Sequence, residues 1–318
     1  MRSITNPASV AFGLLGFIWG TNFLFMRWAS EFISPSQIVF LRVLFGFVPI
    51  LAYALLRGAL SWKQLRHAHH FFVMSLLATT IYYYSFAKGA SLLPSGIAGM
   101  LSGAIPLVSF VCAWLVLRSE RPTGRMIAGL ASGLIGICLI ARPWAGTSYG
   151  VNPEGVMYMM IGCLSVGCSF VYARRFLAKL DLSPLALSTW QIGFALVTIG
   201  LTTHFEGMSA LTQSLHATLG LAIGLGLTGT GVAYMLYYYI VQKLGALTAS
   251  SVTYLPPVVA SLIGVGFADE PLHVVNCIAM LCILGGVFLL QSRKPRMQGA
   301  RILKTCCWIL ERTICTHR

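Results

Sequence analysis

Residues 94–120 read PSGIAGMLSGAIPLVSFVCAWLVLRSE, and residues 246–270 read ALTASSVTYLPPVVASLIGVGFADE. No charged side chain interrupts the first stretch between Pro94 and Leu117. As a helix rising about 1.5 Å per residue, such a run matches the roughly 30 Å hydrocarbon core of a bilayer. Each stretch carries a proline midway and ends in a glutamate: Pro106 and Glu120 in the first, Pro256 and Glu270 in the second, both pairs 150 positions apart. The two stretches therefore predict equivalent membrane-spanning helices in a duplicated chain.

The remaining sequence agrees. Across 318 residues, 57% are hydrophobic, 9% are charged and the mean hydropathy is +0.80, whereas soluble domains carry about a quarter charged residues. The chain lacks the residue-by-residue alternation of an outer-membrane barrel strand. Uninterrupted apolar windows predict ten spans, over 9–29, 36–56, 69–88, 94–117, 124–141, 152–174, 184–204, 217–240, 246–267 and 273–291. The first window contains Trp19, Asn22 and Arg27 and no small-residue cleavage site, so it reads as a retained span rather than a signal peptide.

The net charge of +14 is explained by topology. Of 22 Lys and Arg residues, 18 fall in the termini and one set of alternate loops, three (Arg27, Lys88 and Arg142) fall in the other set, and Arg42 lies within a span. Without the tail the ratio is still 11 to 3. Basic residues stay on the cytoplasmic side during insertion, which places both termini inside and makes nucleic acid a poor partner. Six of the nine cysteines lie in apolar windows and three in the cytoplasmic tail, so they read as packing residues and not as a disulfide framework.

The duplication extends beyond the opening pair. Gly20-Thr21-Asn22-Phe23 faces Gly167-Cys168-Ser169-Phe170 at a separation of 147, and Ser34-Pro35 faces Ser183-Pro184 at 149, which sets Arg42 opposite Gln191. Matches that keep chain order with so little drift indicate an internal repeat. The expected domains are a first repeat over 1–149, a second over 150–291 and a basic tail over 292–318. Five spans per repeat is an odd number, so the second half must enter the membrane inverted, as in many secondary transporters.

Trp19-Gly20-x-x-Phe23, Leu41-Arg42, Pro106 with Glu120, and Pro256-Pro257 with Glu270-Pro271 resemble the EamA-type permeases of the drug/metabolite transporter superfamily. The resemblance covers about 9–291. It implies ten helices in two inverted five-helix repeats, with a central cavity lined by spans 1, 3, 4, 6, 8 and 9. It also implies movement of amino acids, metabolites or toxic compounds, commonly outward.

Candidate site residues follow from depth and polarity. Arg42 lies about 10 Å deep, where an unpaired charge costs a few kcal/mol. It reads either as a substrate or gating residue, or as an arginine that snorkels or ties to Glu31 or to carbonyls. The second reading is favoured because Gln191 stands at the equivalent place. Asn22 shares a helical face with Trp19, and both are assigned to substrate. The competing reading has Asn22 bonding a neighbouring helix and Trp19 packing. Tyr82-Tyr83-Tyr84 and Tyr237-Tyr238-Tyr239 read mainly as belt tyrosines, with Tyr83 and Tyr234 preferred for the cavity. Pro106 and Pro256 free backbone carbonyls, with Ser102, Ser169, Ser251 and Tyr254 adding hydroxyls at depth. Glu120 and Glu270 read as caps or anchors for the following helix, grouped with Arg42 and Gln191 as gating or structural. Gly129 with Gly133, Gly99 with Gly103, and Gly220 with Gly224 read as internal packing seams.

His67, His69 and His70 read as an interfacial cluster and not a metal site. No cofactor is expected. No G-x-x-x-x-G-K-[ST] loop is present to hold a nucleotide, so an ATP-independent permease in the inner membrane, acting on a small organic solute, is the leading reading. A membrane-embedded lipid-modifying enzyme and a channel are the alternatives. The first lacks converging acids and the second lacks rings of like charge. Oligomeric state is left open.

Overall fold

The computed structural model describes residues 7–117, 123–142, 151–178, 180, 182–244, 251–271 and 273–291. Among them every regular element is helical. The helices are α1 (Pro7–Ser30), α2 (Pro35–Leu56), α3 (68–92), α4 (95–117), α5 (Gly124–Ala141), α6 (Pro153–Leu177), α7 (Pro184–Thr202), α8 (Leu215–Leu244), α9 (Ser251–Phe267) and α10 (Val274–Gln291). Seven of them, α1, α2 and α4 to α8, are long and apolar enough to cross a membrane, and α9 and α10 are shorter apolar helices. The protein is an all-α, multi-pass membrane protein. The face bearing the α1–α2 turn is called outer below, from the charge distribution.

Local chemistry sets the helix starts. Ser34 accepts a hydrogen bond from Gln37 N, and Gln37 returns its side chain to Ser34 N, forming a capping box before Pro35. Ser183 caps Ala186 N just before Pro184. The Ser-Pro repeat is thus a doubled helix start, since proline loses nothing at the first helical position, where its N–H would be unpaired anyway. Thr123 and Asn152 cap α5 and α6 in the same way.

The regular geometry breaks in equivalent places. α3 passes through a π-helical turn at Leu76–Thr80, and α8 through a longer one at Gly220–Val232. π geometry displaces carbonyls from their usual partners, and side chains meet them. Ser165 Oγ donates to Leu77 O at 2.6 Å, and Thr228 and Thr230 donate to Gly224 O and Leu225 O. α4 consists of Ser95–Ser102 and Ile105–Leu117, and α9 begins as a 3₁₀ turn at Ser251–Tyr254 before Leu255–Phe267. Pro106, Pro256 and Pro257 therefore open the second piece of their helices and do not kink a continuous one.

The predicted glycine seams are internal. A Cβ on Gly129 would lie 2.6 Å from Gly286 O, and one on Gly136 2.6 Å from Ala279 O, so α5 and α10 approach backbone to backbone. Gly99 meets Ala260, Gly103 meets Ile283 and Pro257, and Gly220 and Gly224 meet Phe25. Close approach of this kind supplies the dispersion contacts that hold helices together where lipid removes the hydrophobic drive. α1 packs on α8 and α9, α2 on α7 and α8, α3 on α6 and α7, and α4 on α6 and α9.

Candidate functional site

The polar interior of the bundle is organised by α8. Gly229 and Thr230, adjacent in its π segment, meet α1 and α2 respectively. A Cβ on Gly229 would lie 2.3 Å from Asn22 Oδ1, so only glycine admits the amide here. Thr230 Oγ1 accepts a 3.1 Å hydrogen bond from Arg42 Nε. The Arg42 guanidinium lies 3.7 Å from the centroid of the Tyr83 ring on α3, a cation–π contact out of water. Arg42 is 6% exposed, and among the described residues no carboxylate is within ion-pair distance of it. It neither snorkels nor ties to Glu31, because Thr230 and Tyr83 hold it inward. Tyr83 is buried beneath it, whereas Tyr84 is exposed and packs edge-on with Tyr158. Of this triplet, only Tyr84 has the exposure expected of a belt residue. Tyr82, Phe23 and Phe86 extend the aromatic wall, with ring centroids 4.6 to 6.0 Å apart.

Gln191 makes the counterpart of the Arg42 contact. Its Nε2 donates to Thr79 Oγ1 at 2.9 Å, and Thr79 sits in the π turn of α3 as Thr230 sits in that of α8. Thr79 and Thr230 were absent from the sequence candidates. Their spacing of 151, shared with Tyr83 and Tyr234, was the available signal.

Asn22 is 5% exposed and makes no side-chain hydrogen bond among the described residues, its Oδ1 being sealed and unpartnered. The helix-bonding alternative does not hold for this geometry. Trp19 also faces α8, but lower, with its ring 6.0 Å from Tyr237 in a cluster with Leu15, Ala233 and Ile240. Ser102 and Ser169 are buried and donate to carbonyls of their own helices, Gly99 O at 2.6 Å and Val166 O at 2.7 Å. Tyr234, Ser251 and Pro106 are half-buried and Pro256 is buried. Tyr254 keeps a sealed Oη without a partner. The structure thus gathers Asn22, Arg42 and Tyr83 around Gly229–Thr230 and leaves Trp19 two turns along α8.

Glu270 closes the outer end. Its two oxygens accept from Ser95 N and Gly96 N, the latter at 2.8 Å, capping the first turn of α4. It is a cap, but of α4 and not of the helix that follows it. Asp269 takes a left-handed φ of +50°, turning the chain so that Glu270 N returns to Gly264 O at 3.0 Å. Cβ atoms on Gly96 and Gly264 would lie 3.0 and 2.5 Å from Glu270 Oε2, so the carboxylate fits a slot between two glycines. Glu120, the repeat counterpart, lies outside the described residues.

A family model described as the EamA-like transporter family matches residues 7–142 and again 153–292. The chain belongs to the EamA-like transporter family. EamA-like relatives include an inner membrane transporter, YedA, of Escherichia coli K12, 28% identical over 291 residues, covering 91% of this chain and 92% of its own. The transporter YdfC of Bacillus subtilis is 23% identical, with 90% and 92% covered, and the protein PecM of Dickeya dadantii is 22% identical, with 86% and 89% covered. One solved crystal structure superposes with a TM-score of 0.52 at 21% identity, over 90% of this chain and 99% of that one, which establishes likeness of fold. As an EamA-like protein the chain is a transporter.

Proposed function

We propose that the protein is a secondary permease of the inner membrane that exports a small organic metabolite, amino acid or toxic compound by alternating access. Its halves are residues 1–149 and 150–291, inverted relative to each other, with both termini and the 292–318 tail cytoplasmic. The observation that carries the reading is the symmetry of the packing. Exchanging each helix with the one five places along turns the α1–α9 contact into α6–α4, α2–α8 into α7–α3, and α3–α6 into α8–α1, all of which occur. The same exchange leaves α5–α10, α4–α9 and α2–α7 unchanged. It also turns the Arg42–Thr230 tie into Gln191–Thr79. Two halves with interchangeable packing supply two states of similar energy, which alternating access requires. The test is solute flux in proteoliposomes without ATP: saturable flux with a countersolute or ion gradient is expected, and strict ATP dependence would sink the reading.

The orientation has its own test. Reporter fusions after Gln291 are expected to be active only in the cytoplasm, and a fusion active only in the periplasm overturns the inverted topology. Asn22→Ala is expected to leave the melting temperature near the parent, since it removes a buried oxygen that has no partner. The same variant is expected to lose saturable flux by about tenfold or more, as when a ligand-facing polar group is deleted. Normal solute affinity in the folded variant removes Asn22 from the site.

A further inference from the structure

We propose that the solute carries a carboxylate and that Arg42 is the residue that receives it, through the Nη edge of its guanidinium. The proposal rests on the transporter reading above and names its substrate class.

Holding the helices together does not by itself need an arginine at position 42. At the symmetry-related position, Gln191 ties α7 to the π turn of α3 with a neutral amide. The helix tie therefore requires a donor of hydrogen bonds at this depth and does not require charge. Arginine at position 42 makes the same tie with Nε alone and adds a positive charge about 10 Å into the bilayer, where charge is expensive. Buried charge of this kind is retained where something uses it.

Two sides of the guanidinium are accounted for. Thr230 takes the Nε edge and Tyr83 covers one face at 3.7 Å, which fixes the plane of the group. The Nη groups have no hydrogen bond, yet they do not belong to the sealed unpartnered atoms among the described residues, which are Asn22 Oδ1, Ser95 Oγ and Tyr254 Oη. They border accessible space with their N–H donors free. A planar fork with free parallel donors matches a carboxylate in bidentate geometry.

Among the described residues no carboxylate pairs with Arg42: Glu31, Glu154, Glu206, Asp269 and Glu270 all lie at helix ends or in connections. Of the other basic residues of the outer half, Arg27 Nη1 donates to Ser91 O at 2.7 Å, Lys88 Nζ lies 4.0 Å from Glu154 Oε1 and Arg142 caps the C-terminal end of α5. One interior cation neutralises one anionic charge, which favours a monocarboxylate over a phosphate dianion.

The test uses the full-length protein purified in detergent and its thermal unfolding. The probes are benzoate, hexanoate, succinate and L-phenylalanine, each beside its own primary amide. At least one carboxylate is expected to raise the melting temperature with an apparent Kd about tenfold or more below that of its amide. Arg42→Gln, which keeps the hydrogen-bonding capacity seen at Gln191, is expected to fold and to lose that preference. Arg42→Lys is expected to fall between them, because it keeps charge and loses the fork. Equal stabilisation by carboxylate and amide in the parent protein overturns the proposal without any variant being needed, and so does an unchanged preference in Arg42→Gln. No stabilisation by any carboxylate, with flux of a neutral or cationic solute intact in both parent and Arg42→Gln proteoliposomes, overturns the carboxylate site and leaves the transporter reading standing. Carboxylate binding without flux of any solute overturns the transporter reading instead.

Discussion

Gly286→Val is expected to disrupt the α5–α10 pair and to yield little folded protein. A Cβ at position 286 would lie 2.4 Å from Gly129 O, 2.8 Å from Gly133 N and 3.2 Å from Gly133 Cα. All three are backbone atoms, so no rotamer change relieves the overlap and the helices must separate. Separation would also lengthen the Ser132 Oγ to Cys282 O bond, now 2.9 Å. Overpacking a close seam costs about 1–3 kcal/mol and more where backbone must move, and membrane helices have only packing and hydrogen bonds to hold them. Size-exclusion profiles and thermal unfolding in detergent measure the loss. Gly285→Val is the control, because a Cβ there meets nothing within 4 Å. Equal behaviour of the two variants would mean that α5 and α10 do not meet along this seam.

Glu270→Ala is the second large effect. The carboxylate accepts two backbone N–H groups at the start of α4, at the helix end where the dipole favours negative charge. Hydrogen bonds to a charged group contribute about 1.5–3 kcal/mol each, and leaving the donors unpaired adds their desolvation. A loss of about 3 kcal/mol is expected in Glu270→Ala. Glu270→Gln, which keeps one acceptor oxygen and loses the charge, is expected to lose about half of that. The slot imposes a further check: Gly264→Ala is expected to resemble Glu270→Ala, because its methyl group would occupy the place of Oε2. Denaturant or thermal unfolding compares all three. A Glu270→Ala protein as stable as the parent would show that water or another group caps α4 instead.

Some of this was legible in the chain as written. Composition and window length made the protein an all-helical membrane protein, since a bilayer admits few other solutions for uncharged stretches of this length. The Ser34-Pro35 and Ser183-Pro184 pairs marked helix starts, because capping is a local interaction that needs no tertiary partner. The glycine pairs declared close seams. Their identity as internal contacts was also expected, ten helices needing many such approaches.

The site was legible only in outline. Depth and type picked out Asn22, Arg42 and Tyr83 from the sequence, but the favoured reading of Arg42 had it reaching outward or tied near Glu31. Tertiary structure decided otherwise, by setting the α8 hydroxyl of Thr230 and the α3 ring of Tyr83 against it. These contacts span 188 and 41 positions of sequence, and no local rule fixes which helix face meets which. The same is true of Glu270, whose sequence neighbours suggested a cap on the next helix while its partners are Ser95 and Gly96, some 175 positions away. Hydrophobicity and capping act over one or a few turns, so the sequence alone determined that helices form, where they start and that they cross the membrane. Which polar group meets which depends on how the helices rotate against one another in a solvent that rewards none of their faces, and only the packed bundle decided that.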